Sequence, residues 1–255
     1  MEKQFEYYVK GDTFHFKYAK CEPSVKGREF HDYNEFVLFL GGKARFISKN
    51  GQKELIPNNL VIIPREEYHR FIVESPENYT RCILGFSSTP ETSALINEVM
   101  STAQITEPTE KIINVFETLI EVVKSNLSES EKKLYISSSI PQILLNLKLA
   151  PQTQTPKSSS LSPCVSCALS IIDQKFSEKL TVKSLSELVY VSPSTLYHKF
   201  RKELNISVYE YITKKRLSVA NELIKEGKPL TSVAVTCGFQ DYSCFYRLYK
   251  KHYSS

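Results

Sequence analysis

The chain has 255 residues, 41% of them hydrophobic and 24% charged, which is a globular composition that excludes a disordered or collagenous protein. No run approaches the roughly 18 consecutive apolar residues of a membrane helix, and six scattered cysteines exclude a disulfide scaffold. The net charge of +5 is unevenly spread: residues 1–160 carry 19 Lys+Arg against 20 Asp+Glu, and residues 161–255 carry 14 against 8.

A near-neutral front and a basic back point to two modules, the second suited to an anionic partner such as nucleic acid or presenting a solvated basic surface. The opening Met1-Glu2-Lys3-Gln4-Phe5-Glu6 lacks an apolar signal core, so a cytoplasmic chain with no membrane partner is expected.

Short apolar runs dominate the first 90 residues: Phe14–Tyr18, Glu35–Leu40, Ala44–Ile47, Leu60–Ile63, His69–Val73 and Tyr79–Leu84. Gly41-Gly42, Asn50-Gly51 and Pro57-Asn58-Asn59 punctuate them, which predicts a β-barrel or sandwich over residues 1–90. From Glu91 to Leu149 the period becomes helical. Ile112, Phe116, Leu119, Ile120 and Val123 share one face, Ile140, Ile143, Leu144 and Leu147 repeat it, and Pro141 is expected to start or kink the last helix. Such stripes serve a core, a two-fold contact between copies, or both.

Residues 150–163 cluster Pro, Ser, Thr and Gln and are predicted to link domains. Residues 164–255 read as helical. Cys164 and Cys167 begin this stretch one turn apart, without a second pair to complete a metal site.

Within this last segment, a first helix ends near Tyr190. Ser192 then supplies an N-cap and Pro193 a first helical position for a second helix. Leu196 and Phe200 point inward and leave Ser194, Thr195, Tyr197, His198 and Arg201 outside, the arithmetic of a helix-turn-helix. The pattern recurs over Pro229–Lys251. Val233 matches Leu185, Ala234 matches Ser186, Phe245 matches Leu196 and Tyr249 matches Phe200, with one more residue in the second turn and Gly238 fit for a positive φ. Val208 to Lys225 is predicted as a helix long enough to set the two units about one DNA turn apart.

Two such units joined by a helix, with Arg216-Leu217, Ala220, Leu223-Ile224, Val233-Ala234, Cys237-Gly238-Phe239 and Lys250-Lys251, resemble the AraC/XylS family of bacterial transcription regulators. Ser186 and Tyr190 stand where that family favours Ala and Gly. The resemblance implies base-facing roles for Ser194, Tyr197 and His198, with Thr195 beside them, and for Tyr242, Ser243, Cys244, Tyr246 and Arg247 in the second unit. Arg247 suits a bidentate grip on guanine O6 and N7, whereas Arg201, Lys202, Lys250 and Lys251 suit phosphates.

The front half resembles the cupin-like sensor barrel of the same family, through Phe30–Gly42, Ile56–His69 and Tyr79–Phe86. The overall expectation is therefore a multidomain α and β chain: a cupin-like barrel (1–90), a helical dimerisation segment (91–149), a linker (150–163) and an all-α tandem helix-turn-helix domain (164–255). His31, Glu35, His69 and Arg81 are the candidate ligand-pocket residues.

His31, Glu35 and His69 carry ligand types found in metal cupins, but a single His stands where those have His-x-His, and hydrogen-bonded barrel histidines are the preferred reading; no metal or cofactor is expected. The expected function is transcription regulation controlled by a small-molecule effector, a sugar or other polar metabolite, with no catalysis. Double-stranded DNA, a second copy of the chain and RNA polymerase are the expected partners. Two alternatives stand beside it: a metal-dependent cupin enzyme fused to a DNA-binding module, and a constitutive DNA-binding protein whose barrel only dimerises.

Overall fold

The computed structural model describes residues 5–20, 30–101, 104–150 and 161–253. Contacts divide the described chain into two units, one drawn from 1–28 and 33–159, the other from 29–32 and 160–255. The predicted linker lies for the most part outside the described residues, which resume at Leu161.

Among the described residues the first unit has nine strands: β1 (Phe5–Lys10), β2 (Phe14–Lys20), β3 (Asn34–Gly41), β4 (Ala44–Ser48), β5 (Gly51–Glu54), β6 (Leu60–Ile63), β7 (His69–Val73), β8 (Thr80–Phe86) and β9 (Gln104–Thr106). They form a six-stranded antiparallel sheet, ordered β1-β2-β8-β3-β6-β9, and a three-stranded sheet, β5-β4-β7.

Strand alternation gives the six-stranded sheet two buried faces. Val37, Phe39, Val61 and Ile63 pack inward against Ala44 and Phe46 of the three-stranded sheet. Phe16, Phe36, Leu38, Leu60, Ile62, Cys82 and Leu84 pack outward against helices. Burial on both faces explains why β3 and β6 read as continuous apolar runs rather than as alternation.

Those helices are α1 (Ser93–Val99), α2 (Glu110–Lys124) and α3 (Glu129–Leu149). Ile112, Phe116, Leu119, Val123, Ile140, Ile143 and Leu144 all join the sheet's outer core. Two expectations are corrected. Residues 104–106, inside the stretch that read as helical, form β9 and pair with β6. Pro141 does not start a helix: α3 begins twelve residues earlier, at Glu129, behind an N-cap where Ser128 and Glu131 close a capping box, and runs on through it.

The second unit comprises α4 (Pro163–Lys175), α5 (Val182–Leu188), α6 (Pro193–Leu204), α7 (Val208–Lys225), α8 (Leu230–Thr236) and α9 (Tyr242–Tyr253). Leu185, Leu196, Phe200, Val233, Ala234 and Phe245 are buried. Ser192 caps α6 by accepting from the Thr195 N–H, with Pro193 at the first turn. The short segment 30–32 belongs here too. Phe30 sets its ring edge-on to Tyr211 at 5.3 Å, and Asp32 accepts a hydrogen bond from Asn221 Nδ2 at 2.9 Å and pairs with Lys225.

Candidate DNA interface and sensor interior

The two turns of the helix-turn-helix units close in the same way. After α8, the Gly238 N–H donates to the Val235 carbonyl and the Phe239 N–H to Ala234; after α5, Tyr190 donates to Glu187 and Val191 to Ser186. This paired bond pattern requires a left-handed residue at the hinge. Gly238 supplies it at φ 79°, and Tyr190 takes the same conformation at φ 55° despite its Cβ.

The side chain of Tyr190 is 94% exposed, so it forfeits packing to reach that conformation. Ser186, which stands opposite Ala234 in the repeat, is buried and returns its hydroxyl to the Lys183 carbonyl at 2.8 Å.

Arg216 of α7 joins the halves. Its Nε donates to the Phe176 carbonyl and its Nη2 to Glu178, both at 2.7 Å, while its guanidinium lies 5.8 Å from the Phe239 ring centre. Burial pulls the Arg216 pKa down from its ordinary value. The sequence marked Arg216 only as a family signal; its role as a clamp on the α4–α5 turn is a finding of the structure.

Most predicted contact residues lie outside. Ser194, Thr195, Tyr197 and His198 are exposed on α6, as are Tyr242, Ser243, Tyr246 and Arg247 on α9. Arg201, Lys202, Lys250 and Lys251 are exposed as well. Thr195 is occupied by the cap, its hydroxyl 2.8 Å from that of Ser192. Cys244 is half-buried, and its N–H is taken by the Asp241 carboxylate. Asp241 thus closes the start of α9, a capping role the sequence reading missed although Asp before a helix is its signal. Tyr242 and Tyr246 stack at 6.0 Å, and the Lys250 ammonium sits 5.0 Å over the Tyr246 ring, a ladder along one face of α9.

In the first unit, Glu35, His69 and Arg81 are buried between the two sheets. Glu35 Oε2 and His69 Nε2 stand 3.9 Å apart, one from each sheet, and His69 Nδ1 lies 3.1 Å from the Glu67 carbonyl. Phe46 stacks beside His69, and Phe71 sets its edge to it. Arg81 lies over the Tyr79 ring at 4.5 Å. Burial pushes the Tyr79 hydroxyl up to about 12, with Glu35 adding to the shift and Arg81 opposing it. His31, the fourth predicted pocket residue, is buried in the segment 30–32 that groups with the second unit.

At one end of the first unit's interior, His15 lies so close over Gly85 that a Cβ there would meet its ring at 2.0 Å. Tyr33 is edge-on to His15 at 4.8 Å. Neither His15 nor Tyr33 stood out in the sequence.

Comparison with known proteins follows this division. Residues 17–135 match the family described as AraC-like ligand binding domain, and residues 185–255 match the helix-turn-helix domain family. The chain belongs to the AraC family of transcriptional regulators. LumQ of Photobacterium leiognathi is 35% identical over 83 residues, 32% of this chain and 34% of that protein, so the chain spans about a third of that relative's length. The Msm operon regulatory protein of Streptococcus mutans is 20% identical over 94% of this AraC-family chain and 88% of its own. The crystal structure of ToxT from Vibrio cholerae aligns at 13% identity with a TM-score of 0.41, over 97% of this chain and 92% of that one. Among the described residues no helix is long and apolar enough to cross a membrane.

Proposed function

We propose that this AraC-family chain is a sequence-specific transcription regulator that reads double-stranded DNA with α6 and α9 and answers to a small-molecule effector held between the sheets of its first unit. The observation that carries the reading is the repeated exposed face. Two helix-turn-helix units with identically bonded turns each leave a polar and aromatic helix uncovered, on a basic segment of chain. The 18-residue α7 between them is about 27 Å long, comparable with the roughly 34 Å turn of DNA.

Ser194, Tyr197 and His198 face bases from α6, and Tyr242, Ser243, Tyr246 and Arg247 from α9. Thr195 and Cys244 complete the two base-facing sets, Thr195 with its hydroxyl also on the Ser192 cap and Cys244 half-buried. Arg201, Lys202, Lys250 and Lys251 neutralise phosphates. Residues 1–90 sense the effector, 91–149 dimerise, 150–163 link and 164–255 bind DNA.

A second copy of the chain is the natural partner for α3. Leu134 (71% exposed), Leu145 and Leu149 (79% exposed) recur on the side away from the sheet. RNA polymerase is the further partner, the protein acts in the cytoplasm, and it catalyses no reaction. Effector control requires unequal affinity for two arrangements of the protein, because equal binding shifts nothing.

The test is genomic capture at stated salt with mapped protection. Discrete sites beside a small set of operons are expected, whereas diffuse binding that vanishes with salt would overturn sequence-specific regulation.

A further inference from the structure

The inner face of the six-stranded sheet holds a cation with an unanswered donor. Arg81, on β8, is 4% exposed, and its Nη1 is buried and meets no hydrogen-bond acceptor among the described residues. Among the described residues its guanidinium lies over the Tyr79 ring, 4.5 Å from the ring centre. That contact covers a face of the planar group and cannot serve the N–H bonds, which point outward in the plane.

Glu35 does not supply the acceptor. Its backbone lies opposite Gly85, four residues along β3 from Phe39, the register partner of Arg81, a rise of about 13 Å between the two backbone positions, and Arg81 Nη1 donates no hydrogen bond to it. There it stands beside His69. On the other side of Arg81 the register partner is Ala19, which offers no side-chain acceptor. Phe39, Phe46, Phe71 and Ile83 make the surrounding interior apolar. Native interiors seldom leave a buried charge-bearing donor unmet, the partner being water, a ligand or an ion where the protein supplies none, and a ligand that also cancels the charge does most for a buried guanidinium.

We infer that the effector is a small organic monocarboxylate with an apolar body, its carboxylate accepting from Arg81 and its body lying among Phe39, Phe46, Phe71 and Ile83. This rests on the reading of the first unit as the effector-binding one. A carboxylate matches the planar guanidinium fork and cancels its charge. A neutral polyol leaves the charge standing, and a dianion brings a second charge into apolar walls.

The test uses the full chain. Thermal unfolding and calorimetric titration are run with benzoate, phenylacetate and hexanoate, each beside its own neutral amide, and with glucose. A carboxylate is expected to raise the unfolding midpoint in step with its concentration and to bind about ten- to a hundredfold more tightly than its amide. Arg81→Gln is expected to lose that preference, and Arg81→Lys to keep part of it.

The inference falls if amides or glucose bind as well as the carboxylates, if Arg81→Gln binds carboxylates unchanged, or if none of the three carboxylates binds. Should Arg81→Gln fail to fold by circular dichroism, Arg81→Lys and the wild-type preference decide alone. DNA affinity measured alongside separates the two readings. Glucose or an amide that binds and alters DNA affinity overturns the anion site and leaves effector control intact. A carboxylate that binds through Arg81 but alters neither DNA affinity nor transcription keeps the site and removes effector control.

Discussion

Replacing Gly238 by Ala tests how the second recognition helix is aimed. The residue holds φ 79°, a left-handed conformation that costs an L-residue about 1–2 kcal/mol. A Cβ built there would also stand 2.2 Å from the Ser177 carbonyl oxygen, 2.7 Å from its carbon and 2.8 Å from its Cα. These are backbone atoms of the turn after α4, which Arg216 fixes through the carbonyls on either side, so they cannot swing away as a side-chain tip could.

Overpacking of this kind adds about 1–3 kcal/mol, and the smaller conformational freedom of unfolded Ala returns about 0.5–1 kcal/mol. The net expectation is a loss of about 1–4 kcal/mol in the C-terminal unit, read as a lower urea midpoint by circular dichroism. Specific DNA affinity should fall as well, because the residue sets the entry to α9. A variant within about 0.5 kcal/mol of wild type, with unchanged affinity, would refute the reasoning.

Further outcomes follow from the same geometry. Tyr190→Gly should stabilise the first turn by about 0.5–1 kcal/mol, the relief of left-handed strain less the entropy of glycine, since the exposed ring packs on nothing; a lower urea midpoint would contradict this. Arg247→Ala should cost about 1–3 kcal/mol of discrimination at one base pair in a competition assay, whereas Lys250→Ala should weaken all DNA alike and flatten the salt slope by about one unit. Equal losses on specific and random DNA for both variants would remove that division.

Burial pushes the Asp32 carboxyl up, but the hydrogen bond and charge of Lys225 outweigh it and hold the pKa below its ordinary value. Its stabilisation is thus complete above the unfolded value of 3.8 and lost as pH falls through the lowered folded one. The gap in urea midpoint between wild type and Asp32→Asn should therefore close below about pH 3.8; a gap that persists in stronger acid would show that the pair is not its source.

What the sequence disclosed and what it hid have distinct physical causes. The strands with an inward face, β2, β3, β4, β6, β7 and β8, announced themselves by apolar runs. β1 is largely exposed, β5 lies at a sheet edge and β9 has three residues within a helical period, so none of them stood out. The tandem repeat was legible down to its extra turn residue, because capping and the left-handed hinge are local chemistry. The clamp by Arg216 joins residues 40 apart, and the Asp32 to Asn221 bond joins residues 189 apart; no periodicity encodes such pairings. Arg81 was named as a pocket residue, but only the folded register shows it set apart from Glu35.

The second unit is sewn from two separate stretches of chain, and this bears on how portable it is. Phe30 abuts Tyr211, whose ring in turn meets Phe200 of α6, while Asp32 holds Asn221, which accepts from the Tyr249 hydroxyl of α9 at 2.8 Å. A graft of residues 160–255 onto a foreign sensor would carry both recognition helices and leave behind the two side chains that buttress them from the far side of α7. Chimaeras of this protein should be cut so that residues 30–32 travel with the helices they support.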